Sequence, residues 1–265
     1  MIMGIYNCAK TLPRAIDSIL SQTYTNWELI MCDDGSSDDT YRIAREYVNR
    51  FENKIILLVN SRNMGLAYSL NECLKKATGD YIARMDADDI SLTYRFEHQV
   101  YYLNQHPLIA VVGGGIIPFS GNTERKIRLA DENPTKYSLL KGVPFYHPTI
   151  MMRKSIYDEL DGYTNSKRTI KGQDLDLWFR FYAAGYKGYN LQKPLLKYHE
   201  DIEDYKRKRT VKAGFAIMKT MWIGFRLLKF PIYKHIYVFR PLISAMLPRR
   251  LIYCYHNMKH KASDL

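Results

Sequence analysis

Tyr81-Ile82-Ala83-Arg84-Met85-Asp86-Ala87-Asp88-Asp89 is an apolar run that ends in three carboxylates within four residues. The run reads as a strand. Carboxylates at i and i+2 on a strand share a face, and acids that close repel unless a cation neutralises them. Mg²⁺ or Mn²⁺ accepts carboxylate together with phosphate oxygens and keeps positions open for a substrate. An acidic turn, with Asp89 capping the next helix, accounts for the same residues, so the segment by itself leaves both readings open.

Working outward, short apolar runs alternate with helical patterns. Strands are expected at Met1–Tyr6, Glu28–Cys32, Ile55–Val59, Tyr81–Met85 and Ile109–Val112. Helices are expected at Leu12–Leu20, Asp39–Phe51, Leu66–Ala77 and Leu92–Asn104, with Thr11 as N-cap and Pro13 in the first turn of the earliest. Such alternation implies right-handed βαβ units, an α/β fold and a mostly parallel sheet with helices on both faces. Ligands bind such sheets at the carboxyl ends of strands. Here Tyr6-Asn7, Asp33–Ser37, Asn60–Gly65 and Asp86–Asp89 all follow strands, so four polar ends converge on one crevice.

After residue 113 the pattern is mixed. A hairpin is expected over Ile116–Leu129 with its turn at Gly121-Asn122, then a strand at Thr149–Met152, a helix at Asp174–Ala184 closed by Gly185, and two short strands around Pro194. Gly113-Gly114-Gly115 precedes no helix and reads as close packing or a turn. Neither a G-x-G-x-x-G nor a Walker-type sequence occurs, which argues against dehydrogenases and nucleotide triphosphatases.

Two further acids stand out. In Asp33-Asp34-Gly35-Ser36 a strand-end carboxylate could accept hydrogen bonds from a base or a ribose; an Asx-type turn is the competing reading. Asp174, at the start of a late helix, could be a general base or a helix cap, and the helix terminus is expected to depress its pKa. Trp178, one turn later, would serve as core or as a sugar platform.

Composition sets the outer limits. The chain has 265 residues, 46% hydrophobic and 25% charged, enough for a sizeable core without staples. Cys8, Cys32, Cys73 and Cys254 are scattered without metal-site spacing and read as core residues of a protein in a reducing compartment. Met1–Asn7 runs straight into a turn, unlike a secretory leader, and no stretch reaches the ~18 apolar residues of a membrane span. Charge is segregated: residues 205–265 hold 14 basic residues and one acid, Asp264, whereas residues 1–204 are close to neutral.

Taken in order, Gly4-Ile5-Tyr6-Asn7, Ser21-Gln22-Thr23-Tyr24, Asp33–Asp38, Asn63-Met64-Gly65-Leu66-Ala67, Asp86-Ala87-Asp88-Asp89 and Gln173-Asp174 resemble family-2 glycosyltransferases over about residues 1–200. The resemblance implies a GT-A fold, a nucleotide-sugar donor that is usually UDP-linked, Mn²⁺ or Mg²⁺, and inversion at the anomeric carbon. By position it places Tyr6, Asp34, Gly65, Asp86 and His147 around the nucleotide-sugar, Asp88 and Asp86 at the metal, and Asp174 as the base. His147-Pro148-Thr149 is also similar to a segment of such enzymes, although a lone histidine is more often structural. Two departures stand out. The chain begins inside the first strand, where relatives carry a few more residues, and the acidic pair common at 173–174 is Gln-Asp here.

The basic segment, residues 205–265, reads as an amphipathic extension of a catalytic domain at 1–204. Lys212, Lys219 and Arg226 recur every seven residues, with Ile217, Met221, Phe225 and Leu228 opposite them. The expected partner is an anionic membrane surface, with the enzyme held peripherally on the inner face of a bacterial cell membrane. A helix packed on the body is the competing reading; nucleic acid is not expected, because the cations are interleaved with bulky apolar residues. The expected acceptor is a saccharide, lipid-linked, for cell-surface polysaccharide. A sugar-1-phosphate nucleotidyltransferase would need a Gly-rich basic first loop where Tyr6-Asn7-Cys8-Ala9-Lys10 stands. An inactive membrane-bound scaffold with the same fold is the remaining alternative.

Overall fold

A computed structural model describes residues 1–200 and 210–246. Strands β1 (Ile2–Ile5), β2 (Leu29–Asp33) and β3 (Ile55–Val59) pair in parallel, in that order. Alternate side chains go to opposite faces. Ile2, Ile30 and Cys32 enter one core cluster, while Met3, Ile5, Leu29 and Met31 enter the other. Helices α1 (Leu12–Leu20) and α2 (Thr40–Arg50) cover the second cluster, and α3 (Leu66–Lys76) covers the first. Thr11 stands at the N-cap of α1 as expected, but its hydroxyl donates to the Cys8 carbonyl rather than accepting from the helix.

Strand β4 (Tyr81–Ala83) joins β1 through one parallel bridge, Ile2 to Arg84. The expected strand over 81–85 therefore stops two residues early. Two residues then form β5 (Ile90–Ser91), and α4 (Arg95–Gln105) begins three residues later than expected. Leu92 is engaged elsewhere, donating its N–H to the Leu195 carbonyl.

The mixed pattern after 113 is where antiparallel pairing enters. Strands β6 (Val111–Ser120), β7 (Thr123–Glu124), β8 (Met151–Arg153) and β9 (Gly188–His199) build a second sheet in the order β4-β8-β6-β9-β5. β8 runs antiparallel to β4 and β6, whereas β6 and β9 are parallel. The hairpin at Gly121-Asn122 forms, pairing Ser120 with Thr123. Gly113, Gly114 and Gly115 are close-packed: an added Cβ would lie 2.5 Å from Asn190 Oδ1, 2.6 Å from Leu195 Cδ1 and 2.6 Å from Leu129 Cδ2. The two short strands expected around Pro194 are one strand. Proline has no N–H to give the ladder, and the β6–β9 register shifts where Gly115 faces Pro194.

Helices α5 (Lys154–Glu159), α6 (Gln173–Ala183), α7 (Val211–Leu227) and α8 (Arg240–Met246) complete the described chain, with a 3₁₀ segment, Ile232–Phe239, before α8. Thr210 caps α7 by accepting from the Ala213 N–H at 3.1 Å. Met221, Phe225, Leu228 and Phe230 belong to the same core cluster as Leu177, Trp178 and Phe179 of α6. Gly224 lies so close to the Phe179 ring that no side chain fits between the two helices. The described part of the basic segment thus packs on the body instead of standing apart from it. Lys212, Lys219 and Arg226 occupy the exposed side, as the heptad spacing implied. Lys206–Arg209, Cys254 and the 204/205 boundary lie outside the described residues. Cys32 and Cys73 are buried free thiols, and Cys8 is half-buried.

Candidate active site

The carboxyl ends of the parallel strands carry the site. Asn7 takes a left-handed backbone after β1 and ties the first two strand ends together. Its N–H donates to Ser36 Oγ at 3.0 Å, and its Oδ1 accepts from the Ser37 N–H at 2.9 Å. Tyr6 beside it is about half exposed on the crevice. Asp34 is turned inward. One oxygen accepts from Asn60 Nδ2 at 2.7 Å and the Met64 N–H at 2.8 Å, and the other accepts from the Gly65 N–H at 2.8 Å. Gly65, at φ +93°, supplies the bend that aims those amides at the carboxylate. Asp34 and Gly65 are thus bonded to each other, holding the 60–65 loop against β2.

The Asp86–Asp89 segment is a turn past the end of β4, closed by the Asp89 N–H to the Asp86 carbonyl at 3.3 Å. The turn, rather than alternation along a strand, brings the acids together. Asp86, Asp88 and Asp89 each offer an oxygen within 4.8 Å of the others. Their environments differ. Asp86 makes a two-pronged ion pair with buried Arg84, at 2.5 and 2.8 Å. Asp88 is the most open of the three. Asp89 does not cap α4, which starts six residues later; it is buried and accepts from the His199 N–H at 2.8 Å. Its second oxygen is buried without a protein partner. Burial and the neighbouring Asp86 and Asp88 carboxylates push the Asp89 pKa well above the usual range. Crowded oxygens of this kind, one of them orphaned, fit a hard divalent cation.

Three residues that the sequence reading passed over complete the cluster. β5 pairs antiparallel with β9, Ile90 facing Lys197, and continuing that register sets His199 against the acidic turn. His199 Nδ1 lies 3.4 Å from Asp88 Oδ2. Arg84 links the turn to the late helix: burial opposes its charge, but Asp86, Tyr163, Asp89 and Asp174 together hold its pKa above the ordinary value. Arg14 of α1 donates to the Asp88 carbonyl at 3.2 Å and stacks on Phe119 at 4.8 Å.

Asp174 is the second residue of α6, so it is not the cap; Gly172 holds that position. Its Oδ1 accepts from the Leu175 N–H at 2.8 Å, which leaves Oδ2 to take a proton. Contrary to the expected depression, its pKa is raised. Burial outweighs the helix N–H and the Arg84 charge, and Asp86 adds to the rise. That shift moves a carboxylate toward the range useful to a general base. His147 is buried behind this group, its Nε2 3.0 Å from the Tyr163 hydroxyl and its ring edge-on to Trp178. Burial and Arg84 hold it neutral, with a pKa well below 6.5. Trp178 is fully buried and is core.

A parallel half-sheet ending in an acidic turn, with a mixed half that returns a carboxylate to the same region, is the GT-A fold of sugar transferases. The chain belongs to glycosyl transferase family 2, whose model matches residues 1–161. It is 46% identical over 260 residues to "Putative glycosyltransferase EpsE" of Bacillus subtilis, spanning 98% of this chain and 93% of the relative. It is 33% identical over 156 residues to the UDP-Glc:alpha-D-GlcNAc-diphosphoundecaprenol beta-1,3-glucosyltransferase WfgD of Escherichia coli, covering 59% of this chain and 60% of that one. Among solved structures, the mannosyltransferase PcManGT from Pyrobaculum calidifontis, in complex with GDP-Man and Mn²⁺, superposes with a TM-score of 0.66 at 16% identity. That match covers 98% of this chain and 79% of the mannosyltransferase. The chain is therefore a glycosyltransferase, and the nucleotidyltransferase reading is set aside.

Proposed function

We propose that this glycosyltransferase moves a sugar, with inversion, from a nucleotide-sugar, UDP-linked, to a hydroxyl of a lipid-linked saccharide used in cell-surface polysaccharide assembly. The observation that carries the reading is the acidic turn at the strand ends, where Asp86, Asp88 and Asp89 each offer an oxygen within 4.8 Å of the others and one Asp89 oxygen is buried without a protein partner. Asp88, with Asp86, Asp89 and His199 around it, would hold Mn²⁺ or Mg²⁺. When bound there, the ion supplies positive charge opposite the departing diphosphate. Tyr6 lines the nucleotide side. Asp34 and Gly65 shape that side by fixing the 60–65 loop, and His147 backs the pocket from within. Asp174 Oδ2 takes the proton of the acceptor hydroxyl as its oxygen bonds to the anomeric carbon. The bond from that carbon to the diphosphate oxygen breaks on the opposite face.

The described basic segment supports attachment to an anionic membrane surface. Ile232, Tyr233 and Ile236 are 77%, 71% and 69% exposed, on the segment that follows α7 and its exposed Lys212, Lys219 and Arg226. Among the described residues no helix is long and apolar enough to cross a membrane. Co-sedimentation with anionic but not neutral vesicles is the expected result; equal binding to both removes the electrostatic part of the idea.

Asp174→Asn tests the chemistry. Turnover is expected to fall roughly 10²- to 10⁴-fold while thermal stabilisation by UDP with Mn²⁺ is kept. In the unmodified enzyme the base works ionised, so kcat falls as pH drops through a pKa above 3.8. Undiminished turnover in the variant would leave an inverting mechanism without its base. No turnover by the unmodified enzyme with any nucleotide-sugar of a panel would favour the inactive scaffold.

A further inference from the structure

A second cleft, of about 380 Å³, opens next to Asp174 between the 3₁₀ turn Lys136–Leu140, the start of α6, and the facing sides of α7 and α8. Its floor and walls are apolar: Leu139, Val143, Leu175, Ile217, Met221 and Pro241. Among the described residues, three cations, Lys141, Lys171 and Arg240, line the same cleft, with Asp174 the one carboxylate. All three cations are exposed. Arg240 is held in place by a 2.8 Å hydrogen bond from Nη1 to the Leu140 carbonyl.

This combination is selective. A free sugar offers hydroxyls on every side, and most of the wall they would meet is apolar. A simple apolar ligand leaves three cations without a counter-charge. What satisfies both is an apolar chain that carries an anionic group at the end nearest the base. We infer that this cleft is the acceptor's carrier subsite. Lys141, Lys171 and Arg240 grip the phosphate or diphosphate that joins the acceptor saccharide to its lipid, and the first isoprenoid or acyl units lie along Leu139, Val143, Ile217 and Met221. The inference rests on the transferase reading above and deepens it by giving the lipid linkage a place.

Two features fit that occupant. The cleft reaches Asp174, so a short saccharide attached beyond the phosphate can present its hydroxyl to the base. The far wall is α8, which follows directly on the 3₁₀ segment whose Ile232, Tyr233, Ile236 and Phe239 are exposed. A carrier lipid leaving the cleft along this side meets apolar surface rather than water. Charge-assisted contacts from Arg and Lys to a phosphate are the strong, directional part of such recognition. The apolar walls add affinity in proportion to the chain they cover.

Farnesyl diphosphate is a soluble probe of the subsite, with farnesol and inorganic pyrophosphate as its separated halves. Binding to the full-length enzyme is followed by thermal shift and by tryptophan fluorescence. Farnesyl diphosphate is expected to bind at least tenfold tighter than either half. Lys141→Glu with Lys171→Glu should weaken it tenfold or more, and Val143→Asp, at an exposed rim position, should weaken it severalfold. All of these should leave UDP and Mn²⁺ binding unchanged. Asp88→Asn separates the two anion sites, because farnesyl diphosphate should bind that variant as it binds the unmodified enzyme. Loss of binding in Asp88→Asn, or full binding in the lysine variants, would overturn the inference, and so would pyrophosphate matching farnesyl diphosphate. If farnesyl diphosphate binds as expected but UDP with Mn²⁺ does not bind the unmodified enzyme, the donor reading fails and the carrier subsite stands.

Discussion

Two acidic strand ends, Asp33-Asp34 and Asp86–Asp89, look alike in sequence and are opposites in the folded chain. At Asp34 both oxygens are taken up by Asn60, Met64 and Gly65, and Asp33 is closed by Ser36, so the charge serves to fold a loop. At Asp86–Asp89 the carboxylates face one another, one oxygen of Asp89 is orphaned, and His199 stands at the open side. A carboxylate that already has backbone N–H donors gains little from a ligand, whereas a crowded set without enough donors is unstable until a cation arrives. The same division separates the two histidines. His199 stands at the open cluster; His147 is sealed behind it with Tyr163 and Trp178.

The contrast can be broken by mutation. Asp88→Ala is expected to cut kcat roughly 10³-fold, because several kcal/mol of charge stabilisation are lost, with the melting temperature nearly unchanged. Asp34→Ala should do the reverse. It strips partners from three half-buried donors and should cost about 2–4 kcal/mol, seen as a melting temperature lower by roughly 10 °C. If Asp34→Ala melts normally but loses UDP, the loop-folding role assigned to it is wrong. His199→Ala is expected to raise the Mn²⁺ concentration for half-maximal activity by about tenfold, read from a metal titration.

The smallest effect concerns His147. Its folded pKa lies well below 6.5, so below that pH the unfolded chain binds a proton that the native chain refuses. Stability should therefore fall as pH drops from 6.5, by at most ~1.4 kcal/mol per pH unit. Urea midpoints between pH 7 and 5 for the unmodified protein and His147→Gln would show it as a shallower slope in the variant.

The parallel half of the fold was legible because each strand carries its own signal: a short β-branched or apolar run, then a polar end, then a 3.6-residue period. Ile55–Val59 was read to the residue. The site was half legible. Asp88 and Asp174 stand out as acids where elements end, but their supports do not. Arg84 sits inside an apolar run and looks like a surface-facing strand residue, yet it is buried and paired two residues on. His199 is 110 positions from the Asp89 it contacts, and the link depends on β5, a strand of two residues with no period to detect. The direction of the Asp174 shift was misjudged for a related reason: the helix terminus is visible in the sequence, but the packing that desolvates the carboxylate is not.

Gly224, set against Phe179 with nothing between, has a consequence for anyone shortening this chain. The basic segment invites removal as a detachable handle, yet α7 is the lid on the hydrophobic side of α6. Cutting ahead of Thr210 would leave Leu177, Phe179 and their neighbours bare, each about 2 kcal/mol short of the burial it now has. The trimmed protein would exchange a cationic outer face for an open wound in its own interior, five residues along the helix from Asp174.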